Sequence, residues 1–160
     1  MKTFPQVALA LLLAGTVASA QAGIKASAVH IGGISTVTPA PALVRLDAAG
    51  ATTLSFTLPG AGKKILTFSA VCSVDAPTGD SLSWADLDII VNGVVVAPTV
   101  GSDDAFCSAN GTTGKNDFVR ASITTPIQGL AGSNTIQIMA RGNYQAAGIY
   151  LAYIALVVFD

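Results

Sequence analysis

The final thirteen residues, Gly148 to Asp160 (G-I-Y-L-A-Y-I-A-L-V-V-F-D), constrain the fold more than any other stretch of the chain. In an extended segment successive side chains point to opposite faces. Ile149, Leu151, Tyr153, Ala155, Val157 and Phe159 then fill one face, and Tyr150, Ala152, Ile154, Leu156 and Val158 fill the other. Water can be kept from both faces in two ways. Either the strand lies inside a sheet that is covered on both sides, or a partner molecule covers it. The apolar run from Ile149 to Phe159 is far shorter than the roughly 18 residues that a membrane helix needs. It reads as a strand.

The preceding sequence carries the same period-two signal, and no helical period. Lys25, Ser27, Val29 and Ile31 alternate with small residues, and Leu43 to Asp47 forms a short candidate strand. Leu54, Phe56 and Leu58 share a face. Pro59-Gly60-Ala61-Gly62 then turns the chain into Leu66, Phe68, Ala70, Cys72 and Val74, which reads as a hairpin. Leu87, Ile89 and Val91 precede Asn92-Gly93 and Val94-Val95-Val96. This is a strong hairpin signal, because both central residues accept positive φ. Val119 to Ile123, ended by Pro126 and Gly129, and Thr135 to Arg141, with Ile136, Ile138 and Ala140 inward, complete the series. About eight strands with short turns and no helix predict a two-sheet antiparallel β-sandwich, jelly-roll-like, as a single domain over residues 21–160.

At the other end, residues 1–20 have the form of an export signal: Lys2, an apolar stretch Val7–Ala14, and the small-x-small triplet Ala18-Ser19-Ala20. A second triplet, Ala20-Gln21-Ala22, allows cleavage as late as residue 22. The expected location is secreted, extracellular or periplasmic. In such a compartment Cys72 and Cys107 are expected to form a disulfide. Closing that loop restricts the unfolded chain by roughly 3.5–4 kcal/mol on the chain-entropy model. Eight basic residues stand against nine acids, all Asp, for a net charge of −1. A chain so nearly neutral has no electrostatic footprint for nucleic acid.

Few residues carry catalytic chemistry. His30 is the only histidine, and no Gly-x-Ser-x-Gly elbow accompanies it, since Gly33-Ile34-Ser35-Thr36-Val37 lacks the second Gly. Gly60-Ala61-Gly62-Lys63-Lys64 lacks the first Gly and the final Ser/Thr of a phosphate loop. Paired carboxylates among Asp75, Asp80, Asp86, Asp88, Asp103, Asp104 and Asp117 are the only basis for a hydrolase, and in loops Asp serves turn chemistry. The expectation is therefore no enzyme and no catalytic residue. Hard oxygen ligands at Asp103 and Asp104 make calcium the one cofactor the sequence offers. Trp84, the only tryptophan, stands beside Asp86 and is a stacking platform for a sugar or a cap on the core. Asn110-Gly111-Thr112 matches the N-glycosylation pattern.

The stretch Phe68 to Val100, with Ala105-Phe106-Cys107-Ser108 after it, resembles a loose group of secreted bacterial β-sandwich domains with no agreed activity. Those domains share a strand Cys, an I-x-V-x-G hairpin and a second Cys in the next loop. The C-terminus is also similar to that of fimbrial subunits, with Gly148 and a penultimate Phe159. That resemblance implies assembly through the last strand, with Tyr150, Tyr153 and Phe159 at the contact.

The sequence thus predicts a non-catalytic, surface or extracellular domain that binds a glycan or a protein surface through Trp84, Asp75, Asp80, Asp86, Asp103 and Asp104. The alternative is a homo-oligomeric structural subunit built on residues 148–160.

Overall fold

The computed structural model describes residues 23–32, 35–37, 40–97, 105–111 and 118–160. Residues 1–20, Asp103, Asp104, Asp117 and Thr112 lie outside the described residues. All regular structure among those described is β: β1 (Ile24–His30), β2 (Ser35–Val37), β3 (Ala42–Leu43), β4 (Leu54–Leu58), β5 (Gly62–Asp75), β6 (Trp84–Val91), β7 (Val94–Ala97), β8 (Cys107–Ser108), β9 (Val119–Gly129), β10 (Gly132–Asn143) and β11 (Gly148–Phe159). They form two antiparallel sheets. One has the order β1-β11-β5-β9 with β2 also on β11. The other has the order β3-β10-β6-β7 with β4 on β10 and β8 on β6. If β1/β2, β3/β4 and β7/β8 are each taken as one interrupted strand, this is the jelly-roll order that the strand count predicts.

The core lies between the sheets. Leu66, Phe68, Ala70, Cys72 and Val74 of β5 face Leu87, Ile89, Ile136 and Ile138 of the opposite sheet, all buried. Cys72 and Cys107 are joined, with Cα atoms 6.2 Å apart. Because Cys72 belongs to β5 and Cys107 to β8, the disulfide staples one sheet to the other. Phe106, one residue before Cys107, packs on Phe68 with ring centroids 5.6 Å apart.

The strand β11 sits inside its sheet, paired to β1 and β2 on one edge and to β5 on the other. Its two-faced apolarity has a local cause. Between Ala152 and Ala155 the register with β5 shifts, so Tyr153 and Ile154 together oppose a single residue of β5. Tyr153 takes φ +50° there. Such a bulge reverses which parity faces inward. Before it Ile149 and Leu151 are in the core; after it Ile154, Leu156 and Val158 are. The strict alternation expected for Tyr153, Ala155, Val157 and Phe159 is corrected accordingly: Tyr153 is exposed, and the other three lie on the outer face.

Two further expectations change. The segments Leu54–Leu58 and Gly62–Asp75 are not a hairpin, because β4 pairs with β10 in one sheet and β5 with β11 and β9 in the other. Residues 59–61 turn a corner between sheets. Each strand has one apolar face, and that pattern is satisfied equally by either pairing. Nor does Pro126 end its strand, since β9 continues to Gly129. Being an edge strand, β9 pairs only with β5, so the missing N–H of proline is tolerated there. The Asn92-Gly93 hairpin is formed, with φ of 51° and 82°, and Val91 opposite Val94. The Asn92 side chain also accepts the Thr135 N–H at 2.8 Å and so ties the turn to β10.

Because the extra residue in β11 is unpaired, deleting Tyr153 leaves every other pairing and every inward face in place. The variant is expected to fold, with a thermal midpoint within about 5 °C of the parent. Deleting Gln137, which stands between the buried Ile136 and Ile138 in a regular part of β10, turns one side of that strand inside out and is expected to abolish cooperative unfolding. Circular dichroism melts of the two deletions check the contrast.

Candidate functional site

Three connections meet at one end of the sandwich: the β5–β6 loop (76–83), the β10–β11 loop (144–147) and the end of β8. Ser83, fully buried, holds them together. Its hydroxyl donates to Asp80 Oδ2 and accepts the Gln145 N–H at 3.0 Å, while its carbonyl accepts the Ala109 N–H at 2.8 Å. Asp80 Oδ1 accepts the N–H groups of Leu82 at 2.7 Å and Ser83 at 3.2 Å, the local turn chemistry that Asp performs in loops. The Ser83 hydroxyl, with these backbone donors, holds the Asp80 carboxyl below its ordinary value of 3.8. Gly79 donates to the Gly111 carbonyl at 2.8 Å, and Ala147 donates to the Asp75 carbonyl at 2.7 Å. The disulfide at Cys107 fixes β8 two residues before Ala109, so it anchors one wall of this end.

A second network lies on the outer face of β6 and β10. Asp86, only 3% exposed, accepts the Trp84 indole N–H at 2.8 Å through Oδ1. Its Oδ2 accepts Asn143 Nδ2 at 2.6 Å and pairs with Arg141 at 3.4 Å. Cross-strand register explains the meeting, for Asp86 stands opposite Arg141, and Trp84 opposite Asn143. A buried carboxylate persists only with such partners, and this one fixes the indole of Trp84 in place.

Between the networks the surface is concave. One open cleft of about 440 Å³ is lined by Pro77, Thr78, Gly79, Asp80, Ser81, Leu82, Tyr144 and Gln145. A second of about 380 Å³ is lined by Ser81, Leu82, Trp84, Ser108 and Tyr144. The shared residues Ser81, Leu82 and Tyr144 make them two halves of one depression. Leu82 and Tyr144 are each 63% exposed. Tyr144 adopts φ +60°, a left-handed conformation that a bulky side chain rarely takes. Strain of this kind is held in place by its surroundings and clusters at functional positions.

Of the residues singled out from sequence, Trp84 and Asp80 line this depression, and Asp86 supports it from behind. Asp75 stands at the end of β5, its Oδ2 3.5 Å from the Tyr150 hydroxyl. Asp88, 7% exposed, carries a buried Oδ1 with no hydrogen-bond partner among the described residues. No group of three His, Cys, Asp or Glu that could hold a metal occurs among the described residues. His30 Nδ1 lies 2.8 Å from the Asp47 carbonyl oxygen. Tyr150 is buried, Tyr153 occupies the bulge, and Phe159 packs between Ile24 and Ile65. Both edges of β11 are paired within the chain, to β1 and β2 on one side and to β5 on the other.

Sequence reasoning missed Leu82, Tyr144 and Gln145. The one available signal was an aromatic in the short connection between the last two strands, a place where core packing has no use for it.

No family model and no curated protein matches the chain. Among solved structures it is similar to a family 35 carbohydrate binding module from an environmental isolate, at 13% identity and TM-score 0.39, covering 87% of this chain and 88% of that one. It is also similar to a native family 35 carbohydrate binding module from Clostridium thermocellum, at 16% identity and TM-score 0.37, covering 81% and 96%. A third such module, from Cellvibrio japonicus Abf62, shares 17% identity at TM-score 0.35, covering 87% and 88%. Likenesses of this degree transfer no ligand to the depression.

The sign of the Asp80 effect is set by its lowered pKa: the ionised carboxylate stabilises the loop above 3.8, and that contribution is lost as pH falls through the lower folded-state value. Asp80→Asn is therefore expected to melt below the parent near neutral pH, with the gap closing in strong acid. A gap that is constant with pH would contradict the role of the charge.

Proposed function

We propose that the chain is an exported, non-catalytic binding domain whose ligand is a glycan, held in the depression between Trp84, Leu82 and Tyr144. The observation that carries this reading is the pairing of an exposed, strained aromatic, Tyr144, with an indole fixed by Asp86 across the same concave surface. Sugar rings present apolar C–H faces beside hydroxyls. Aromatic and aliphatic side chains cover the former, and Ser81, Ser108, Gln145 and Asp80 offer hydrogen bonds to the latter. The network through Ser83 sets the loops before any ligand arrives, which lowers the ordering cost of binding. Export places the domain where polysaccharides and surface glycans are found, and it agrees with the disulfide.

Binding is checked by calorimetric titration of the purified protein against a panel of soluble oligosaccharides, with Ca²⁺ and with chelator. The expected result is saturable binding of at least one neutral oligosaccharide that Tyr144→Ala weakens about tenfold or more, the scale of one lost stacking contact. Because Tyr144 projects into solvent, its truncation is expected to leave the thermal midpoint unchanged. Binding that Tyr144→Ala does not affect would place the ligand elsewhere. No heat with any member of the panel would remove the glycan reading.

A further inference from the structure

The depression at the end of the sandwich carries charge of one sign only. Among the described residues that line it, Asp80 is the one charged group, and no Lys, Arg or His stands in either half. The Arg141 guanidinium is already paired with Asp86, the carboxylate that also holds the Trp84 indole. The Asp80 carboxylate is incompletely used. An ionised carboxylate offers about four acceptor positions. Oδ1 takes the N–H groups of Leu82 and Ser83, and Oδ2 takes the Ser83 hydroxyl, which leaves a position on Oδ2. The same donors fix the group in place and favour its ionised form. The wall opposite has the same preference. Tyr144 is exposed and Trp84 partly so, and the faces of such rings carry the negative side of a quadrupole that attracts cations.

We infer that the depression selects its ligand by charge, taking a glycan with free amino groups, whose ammonium meets Asp80 while a C–H face of the sugar lies on Tyr144 or Trp84. This rests on the glycan reading above and adds the class of sugar to it. Other sugars fare worse on the same surface. A uronate or sulfated sugar would bring a second anion beside Asp80 with no cation between them, and like charges at close range repel. A neutral sugar finds the stacking wall and the hydroxyl partners but gains nothing from the Asp80 charge. An ammonium is a compact centre with three donors, so it suits a single open acceptor position and needs no bidentate partner. The bond it makes is charge-assisted, the stronger kind.

Calorimetric titration at about pH 6, where a sugar amine carries its proton and Asp80 does not, tests the inference. Three probes of equal length are compared: a glucosamine tetramer, its N-acetylated counterpart and a galacturonate tetramer. In dilute buffer the glucosamine tetramer is expected to bind about fivefold or more tighter than the acetylated one, and the galacturonate tetramer is expected not to bind. Raising the salt to about 0.5 M is expected to remove most of that difference and to leave the acetylated tetramer unaffected, which separates charge from the bulk of the acetyl group. Asp80→Asn is expected to abolish the preference. Because that change also loosens the loop, Thr78→Lys, an exposed substitution in the same cleft, serves beside it and is expected to cancel the preference with the parent's melt retained. Equal affinity for the two glucosamine forms, galacturonate binding as tight as either, or failure of the glucosamine tetramer to bind a protein that binds other sugars overturns the charge selection and leaves the glycan reading standing. No heat with any sugar removes both.

Discussion

The interior position of β11 is the constraint on which the rest of the structure depends. Every other strand of its sheet pairs with β11 directly or through β5, and its inward residues supply the middle of the core. The bulge at Tyr153 lets one strand present Ile149 and Leu151 at one end and Ile154, Leu156 and Val158 at the other, although their spacing breaks a strict period of two. Were the strand regular over its length, one of those sets would face water, at about 1.5–3 kcal/mol for each large side chain. The margin of stability of a domain is of that order. The positive φ of Tyr153 is the smaller cost.

The disulfide acts on top of that frame. It joins β5 to β8, and β8 carries Ala109 to the carbonyl of Ser83 two residues later. A single chain of contacts therefore runs from the core through Cys107 and Ser83 to Asp80 and Gln145. The depression is assembled from loops, yet it is tied to both sheets. Asp86 does the same for Trp84 from the outer face. Loops held in this way can present aromatic surface to a ligand without first having to be ordered.

Much of the fold was legible because apolar period is a local property. Leu87, Ile89 and Val91, the Asn92-Gly93 turn, and the inward set Ile136, Ile138 and Ala140 were each readable from a few neighbouring residues. The pairing of Cys72 with Cys107 followed from compartment alone. What was not legible is partner choice and parity. The strands on either side of Pro59–Gly62 carry one apolar face each, and nothing local says that they belong to opposite sheets. The bulge in β11 is invisible for a related reason: in a run apolar on both sides, no polar residue marks the slip. At the site, Trp84 and Asp80 were legible by residue type. Tyr144 was not, because its significance lies in its exposure and backbone conformation, which only the folded loops define.

The central claim is that Trp84, Leu82 and Tyr144 form one binding surface, and amide and indole NMR spectra recorded during an oligosaccharide titration test it most directly. With one tryptophan in the chain, the indole N–H of Trp84 gives a single resonance. Binding at the depression predicts that this resonance moves together with the amides of Ser81, Leu82, Tyr144 and Gln145, while those of Ser122 and Val157 on the distant sheet face stay fixed. Shifts confined to another surface, with the indole unmoved, would contradict it.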